Sequence, residues 1–201
     1  VTVGGSATTM SLSGTVANLN AFLAASRVSY LAVANSSGSV TLTLTINDQG
    51  NTGSGTALSA STSLPINVTA INDPPSVSLP ATGFNVSILF PTALAGISVA
   101  DVDAGGGSLQ LTLNVSSGTL TGSSAGGVTV AGSGTASLTL TGTLVALNDY
   151  LANSPPNFVP GSSTTLLAVI SDQGNTGTGG PQTTNASAPV NAVTLFADGF
   201  E

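Results

Sequence analysis

One nine-residue segment occurs twice in this chain, and this internal repeat constrains the fold more than any other feature of the sequence. Residues 47–55 have the sequence NDQGNTGSG and residues 171–179 have SDQGNTGTG, so seven of nine positions are identical. A second pair, GTVANLNAFLA at 14–24 and GTLVALNDYLA at 142–152, shares six of eleven positions. The offsets of 124 and 128 residues predict a repeating unit of about 125 residues.

The register of this repeat divides the chain into unequal parts. Residues 75–194 span one whole unit, whereas residues 1–74 match only the second half of that unit. The first part therefore has no counterpart of residues 75–127, and we expect it to be an incomplete repeat with open sheet edges and exposed core residues. Residues 195–201 then form a C-terminal tail.

Alternation of apolar and polar residues predicts β-strands in both parts. Residues 41–46 have the sequence TLTLTI and residues 109–115 have LQLTLNV, the pattern of strands with one wet face. Residues 64–68 and 138–141 follow the same pattern. Clusters of Gly, Ser and Asn separate these runs at the spacing of a sandwich. The predicted fold class is all-β, with tandem immunoglobulin-like β-sandwich repeats in the broad architectural sense, the first of them incomplete.

Two short segments are predicted to be helical turns. Thr15 is placed to cap a turn that contains Leu19 and Phe22, and Thr143 is placed to cap a turn that contains Leu147 and Tyr150. Both turns are expected to lie across an end of a sandwich. Their apolar residues then belong to the core and do not form a binding face.

The scarcity of basic residues narrows the range of functions. The chain has a single Arg, Arg27, and no Lys, His or Cys, and its formal charge is −7. Such a chain cannot neutralise a nucleic-acid backbone or an anionic membrane surface. It also lacks imidazole, thiol and amine nucleophiles and the usual ligands of zinc. Membrane insertion is not expected, because no apolar run approaches the roughly 18 residues of a span.

The few acidic residues are not scattered. There are eight Asp and Glu residues, and five of them lie in turn motifs at predicted strand ends. These five are Asp48, Asp73, Asp101, Asp103 and Asp172. Clustered carboxylates with almost no base nearby favour a bound hard cation, and calcium prefers oxygen ligands of this kind. The alternative is that Asp and Asn are simply good turn residues.

The motifs together resemble the cadherin-like tandem repeats of large bacterial surface proteins and adhesins. Three segments carry the resemblance: VADVDAG at 99–105, ISDQG at 170–174 and the junction VTAINDPP at 68–75. In cadherins such positions are a D-x-D loop, an x-D-x-G loop and an acidic linker, which together hold calcium between repeats. The resemblance covers residues 1 to about 194.

The resemblance implies a particular set of calcium ligands. They are Asn72, Asp73, Asp101, Asp103 and Asp172. Because the one Glu stands at position 201, glutamates of the cadherin type are missing, and one ion per junction is expected. Asp48 then belongs to an incomplete site, since the first part lacks the D-x-D loop and the preceding linker.

Two functions follow as hypotheses. The first is a non-enzymatic extracellular rod, secreted or on a bacterial cell surface, with calcium-rigidified joints, neighbouring repeats as partners and a surface receptor of unknown identity. The second is a self-assembling fibre in which copies of the chain complete one another by strand exchange, with residues 193–196 as a candidate donor. Two further alternatives are weaker: a glycosidase that uses Asp101 and Asp103, and surface binding by the threonine row of residues 41–45.

Overall fold

The computed structural model describes residues 1–51, 53–159 and 161–193. The described residues are mostly β-strand with two short helices, so the all-β prediction is confirmed at this level. They form two compact units, Val1–Ser36 and a second unit that begins at Ser37, and each is described by itself below. In the described residues, neither helix has the length and apolarity needed to cross a bilayer.

The first unit contains a β-hairpin followed by a helix. Strands β1 (Thr2–Ser6) and β2 (Thr9–Ser13) pair in antiparallel fashion. Helix α1 spans Val16–Ala24, and its N-terminus is capped because the Asn18 N–H donates to Thr15 Oγ1 at 3.3 Å. The capping prediction is therefore confirmed.

The second unit begins with a long hairpin and continues with eleven further strands, of which all but the last are shorter. The hairpin consists of β3 (Gly38–Asn47) and β4 (Ser59–Val68), paired in antiparallel fashion along their whole length. The following strands are β5 (Ser76–Ser78), β6 (Phe84–Ser87), β7 (Thr92–Ala93), β8 (Ser98–Ala100), β9 (Ser108–Asn114), β10 (Thr119–Thr121), β11 (Thr129–Ala131), β12 (Ser137–Thr143), β13 (Asn157–Val159), β14 (Thr164–Ser171) and β15 (Thr183–Val193). Helix α2 (Leu144–Asn153) lies between β12 and β13.

The strands from β5 onward form three sheets. The largest has the order β11-β12-β9-β14-β15-β6, in which only the β15–β6 pair is parallel. A three-stranded sheet has the order β10-β13-β7, and β5 pairs with β8. Strand β10 contacts β12, and β5 contacts β14 and β15, so these smaller sheets cover the six-stranded one.

The core of the second unit lies between these layers. Alternate residues of the central strands are fully buried, as the period of two in a strand requires. They include Leu109, Leu111 and Leu113 of β9 and Leu166, Ala168 and Ile170 of β14. The opposite layer contributes Leu120 and Phe158, which are also fully buried.

The two helices differ in what they bury. Helix α2 contacts β8 and β12, and its Leu147, Tyr150 and Leu151 belong to the core, as predicted. Helix α1 has no buried residue, and Leu23 is 47% exposed. The prediction that both helices supply core residues is therefore wrong for α1, because the first unit has no layer comparable to that beneath α2.

Candidate metal site

The candidate site is formed by three loops at one end of the core of the second unit. The loop after β8 carries Asp101 and Asp103, the loop after β14 carries Asp172, and the segment between β4 and β5 carries Asn72 and Asp73. Strands β8 and β14, which carry buried apolar residues, end at two of these loops, so Asp101, Asp103 and Asp172 follow strands that are anchored in the core. The segment that precedes β5 is bound to the loop after β14 by main-chain hydrogen bonds, from the Asn72 N–H to Thr178 O and from the Thr178 N–H to Ala70 O.

Asn72 and Asp172 are in direct contact. The Asn72 Nδ2 donates to Asp172 Oδ2 at 2.5 Å and to the carbonyl oxygen of Gly180 at 2.8 Å. Both side chains are buried. Because a carboxylate and a carbonyl can only accept, these two bonds fix the orientation of the Asn72 amide and leave its Oδ1 as a free acceptor.

Asp73 and Asp103 are joined through the main chain of Asp73. The Asp73 N–H donates to Asp103 Oδ2 at 2.9 Å, and the Asp103 N–H donates to Asp101 Oδ1 at 3.0 Å. The Thr176 hydroxyl donates to the carbonyl oxygen of Asp103. These bonds tie the loop after β8 both to the segment before β5 and to the loop after β14.

Three oxygens of this cluster are buried and accept no hydrogen bond from the described part of the chain. They are Asn72 Oδ1, Asp101 Oδ2 and Asp103 Oδ1. A buried polar atom without a partner is rare in proteins and costs roughly 1–3 kcal/mol, so a ligand or an ordered water is the ordinary explanation. Three such oxygens, two of them from carboxylates, are the donor set that a hard cation prefers.

Carboxylates alone do not form the site. Among residues 1–51, 53–159 and 161–193, no three acidic side chains lie close enough together to hold a metal ion. Asp172 is also satisfied by protein donors, since its Oδ1 accepts from the Gly174 and Gln182 amides at 2.8 Å each. A cation here would therefore need the Asn72 oxygen together with Asp101 and Asp103, and water or main-chain oxygens to complete six to eight ligands.

The pKa values of the acids reflect these surroundings. Burial raises the pKa of Asp101 above its usual value of 3.8, and the neighbouring Asp103 carboxyl and the charge of Asp172 raise it further, although the Asp103 N–H that donates to Asp101 acts to lower it. Burial also acts to raise the pKa of Asp172, but the Gln182 and Gly174 amides and the Asn72 side chain outweigh it, so that this pKa is lowered. The pKa values of the two carboxyls thus shift in opposite directions, because protein donors satisfy Asp172 whereas Asp101 lacks a positive partner.

The loop around Asp48 repeats the loop around Asp172. Asp48 Oδ1 accepts from the Gly50 and Leu58 amides at 2.9 Å each, as Asp172 Oδ1 accepts from Gly174 and Gln182. Gln49 and Gln173 both have φ of 59°, the left-handed region. The backbone amides of Gly50 and Leu58 hold the pKa of Asp48 below its usual value. The sequence repeat predicts that the two loops are alike, but it does not show that the Asp in each copy holds its loop by accepting hydrogen bonds from main-chain amides.

Gly177 shows how the loop around Asp172, called the second loop, differs from the loop around Asp48, called the first loop. A Cβ at Gly177 would lie 2.6 Å from Asn72 N and from Ile71 C, so the segment before β5 passes directly over this residue. At Gly53, which is 124 residues earlier, a Cβ would meet no described atom within 4 Å. The segment that carries Asn72 thus covers the second loop, and the equivalent space over the first loop is open.

No family model matches the chain, and no curated protein is significantly similar to it.

Proposed function

We propose that this chain is a non-enzymatic structural repeat protein whose inter-repeat junction is stiffened by calcium. In this proposal the sheets from β5 onward form one cadherin-like repeat, and the segment of residues 69–74 is the linker that enters it. The observation that carries the proposal is the set of three buried, unpartnered oxygens of Asn72, Asp101 and Asp103. The resemblance of the three loop motifs to cadherin-like repeats supports the same conclusion.

The proposed role of the ion is mechanical. Asn72 belongs to the linker, whereas Asp101 and Asp103 belong to a loop of the repeat. An ion held by all three would cross-link linker and repeat and neutralise two carboxylates that otherwise repel each other. Asp172 would act as a positioning residue, because it holds the Asn72 amide in the orientation that leaves Oδ1 free. The direction in which the linker enters the repeat would then be fixed.

The proposed setting is extracellular, on a bacterial surface or in secreted form. Millimolar calcium outside cells would saturate a site of the weak class that extracellular modules use, with Kd of about 10⁻⁴–10⁻³ M. Partners of this rod would be neighbouring repeats or other copies, and a surface receptor. Catalysis by Asp101 and Asp103 is disfavoured, since the two residues share one loop and the Asp103 N–H donates to Asp101, an arrangement that suits a turn better than an open cleft.

The test is thermal unfolding in calcium and in chelator, followed by the near-ultraviolet signal of Tyr150 in the core. At about 100 times Kd, binding to the folded state adds about 2.7 kcal/mol. At about 2–4 °C per kcal/mol, this is a rise of roughly 5–11 °C in the midpoint. Identical midpoints in calcium and chelator would refute the proposal.

Asp101→Asn is the informative variant. It keeps an acceptor for the Asp103 N–H but removes the charge at the unpartnered oxygen. We expect it to melt at or above the wild-type temperature in chelator and to lose the rise in calcium. Asp48→Asn is the matched control, because Asp48 lies in the copied loop that no linker covers, and its calcium response should equal that of the wild type.

A further inference from the structure

The β3–β4 hairpin is a copy of the β14–β15 hairpin in both sequence register and pairing. In the first, the Asp48 N–H donates to Leu58 O, and in the second, 124 residues later, the Asp172 N–H donates to Gln182 O. The cross-strand pairs correspond as well. Thr41–Pro65 and Leu42–Leu64 in the first hairpin match Thr165–Pro189 and Leu166–Ala188 in the second. The two hairpins are thus the same structural part of the repeat.

The second hairpin is covered on one face and along both edges. Its inward residues Leu166, Ala168, Ile170 and Val190 are fully buried. The β14 edge pairs with β9, and the β15 edge pairs in parallel with β6. Both of these partner strands lie within residues 75–127, the half of the repeat that precedes β11.

The first hairpin keeps the apolar face but lacks the cover. The residues at the matching positions, Leu42, Leu44, Ile46 and Ile66, are again aliphatic. Leu42 is 40% exposed, Leu44 42% and Ile46 59%, whereas Ile66 is partly buried; Leu64, which matches Ala188, is 56% exposed. The residues between them, such as Thr43 and Ser63, are polar as on a wet face. In the described residues, neither β3 nor β4 pairs with any other strand along its second edge.

This face has the features of a surface that is normally covered. A row of exposed aliphatic side chains beside two unpaired strand edges invites pairing with another chain segment. Between residues 38 and 68 the only ionisable residue is Asp48, which lies in the turn, so the two strands themselves offer no charge to a partner. The occupant must therefore be a polypeptide segment that adds uncharged strands with alternating apolar residues, and the chain contains an example of one.

We propose that the β3–β4 hairpin is a docking surface for a polypeptide segment of the kind formed by residues 75–127. A β9-type strand of that segment would pair with β3 along residues 43–47, and a β6-type strand would pair in parallel with residues 66–69 at the end of β4. The apolar residues of the β9-type strand would lie beside Leu44 and Ile46, and a β5-type strand would cover the apolar face, as β5 contacts β14 and β15. The inference rests on the internal copy and does not depend on the metal site.

The test is to supply the segment by fusion. Residues 128–130 and residues 1–3 are both VTV, so a second copy of residues 75–127 joined directly to Val1 reproduces the chain order found in the complete repeat. Hydrogen exchange of the β3 amides, binding of a hydrophobic dye and molar mass are then compared between the fused chain and the original chain. We expect at least about tenfold slower exchange in residues 43–47, about 1.4 kcal/mol of added protection, weaker dye binding and a monomeric mass.

Two variants make the result specific. Leu109→Ser, Leu111→Ser and Leu113→Ser, made only in the added segment, should restore fast exchange in β3. Leu44→Asp in the hairpin should do the same, while exchange in β14 stays slow in every variant. Because β14 and β15 keep their own cover, their slow exchange shows that the complete repeat is still folded.

Two outcomes would overturn the proposal. One is unchanged exchange in β3 and β4 and unchanged dye binding in the fused chain, with β14 still protected. The other is that the original chain, without any added segment, is already a dimer whose β3 and β4 amides exchange slowly. In that case a second copy of the hairpin is the occupant.

Discussion

Ile46 and Ile170 occupy the same position in the two copies of the hairpin. Replacing each of them by Ala tests whether the sheet face is open in the first copy and covered in the second. Ile170 is fully buried in the core of the second unit, and Ile46 is 59% exposed. Both precede the same turn by two residues, 46 before Asp48 and 170 before Asp172. The two isoleucines therefore share the same strand position and the same following turn, and they differ clearly in burial.

The expected magnitudes are well separated. Ile→Ala in a packed core costs about 2–5 kcal/mol, because it removes apolar contact and leaves a cavity. Ile46→Ala loses only strand propensity and partial burial, which together amount to at most about 1 kcal/mol. With a urea m-value of about 2 kcal/mol/M, Ile170→Ala should lower the unfolding midpoint by roughly 1–2.5 M.

The assay uses Tyr150 as the reporter. The chain has two Tyr and no Trp, so a Tyr30→Phe background leaves Tyr150 as the one fluorescent side chain in the core. Tyr30 is 49% exposed, and its replacement should leave the midpoint unchanged. If Ile46→Ala lowers the Tyr150 midpoint as much as Ile170→Ala does, then the first hairpin is packed as tightly as the second and the reasoning is refuted.

Two further matched comparisons test the surroundings of the site. Gly177→Ala should lower the free energy of unfolding in urea clearly more than Gly53→Ala does. Both glycines have positive φ, but only a Cβ at residue 177 would meet the backbone at Asn72. Equal losses would show that no linker lies over Gly177. In metal-free protein, Asp101 ionises as the pH rises through its raised pKa, and this ionisation lowers the free energy of unfolding. Asp101→Asn, which carries no charge, should therefore be more stable than the wild type at pH 7. The difference should vanish below pH 3.8, the usual Asp value, and a difference that persisted in acid would contradict the cause assigned to the shift.

The regular elements were predictable because their signals are local. The TLTLTI and LQLTLNV runs alternate with a period of two, and they lie in β3 and β9. Thr15 and Thr143 cap helices where the spacing of apolar residues placed them. Internal repetition of the sequence predicted that the two hairpins would be alike.

What could not be predicted depends on contacts between distant residues. The inward positions of β3 and β14 are apolar in both strands but differ in burial, because burial depends on whether other strands are present. The sequence also grouped Asp172 with Asp101 as equivalent ligands, yet Asp172 accepts two main-chain amides and holds Asn72. Only the three-dimensional arrangement shows which carboxyl oxygens are satisfied and which are free. The predicted tail at 195–201 and most of the candidate donor strand lie outside the described residues.

The proposal that a cation binds at the linker is tested most directly by the structure of a crystal grown with calcium. The account predicts an ion in contact with Asn72 Oδ1, Asp101 Oδ2 and Asp103 Oδ1, at distances of about 2.3–2.6 Å, with the Asn72 amide still donating to Asp172. Only water beside these three oxygens at saturating calcium would contradict it.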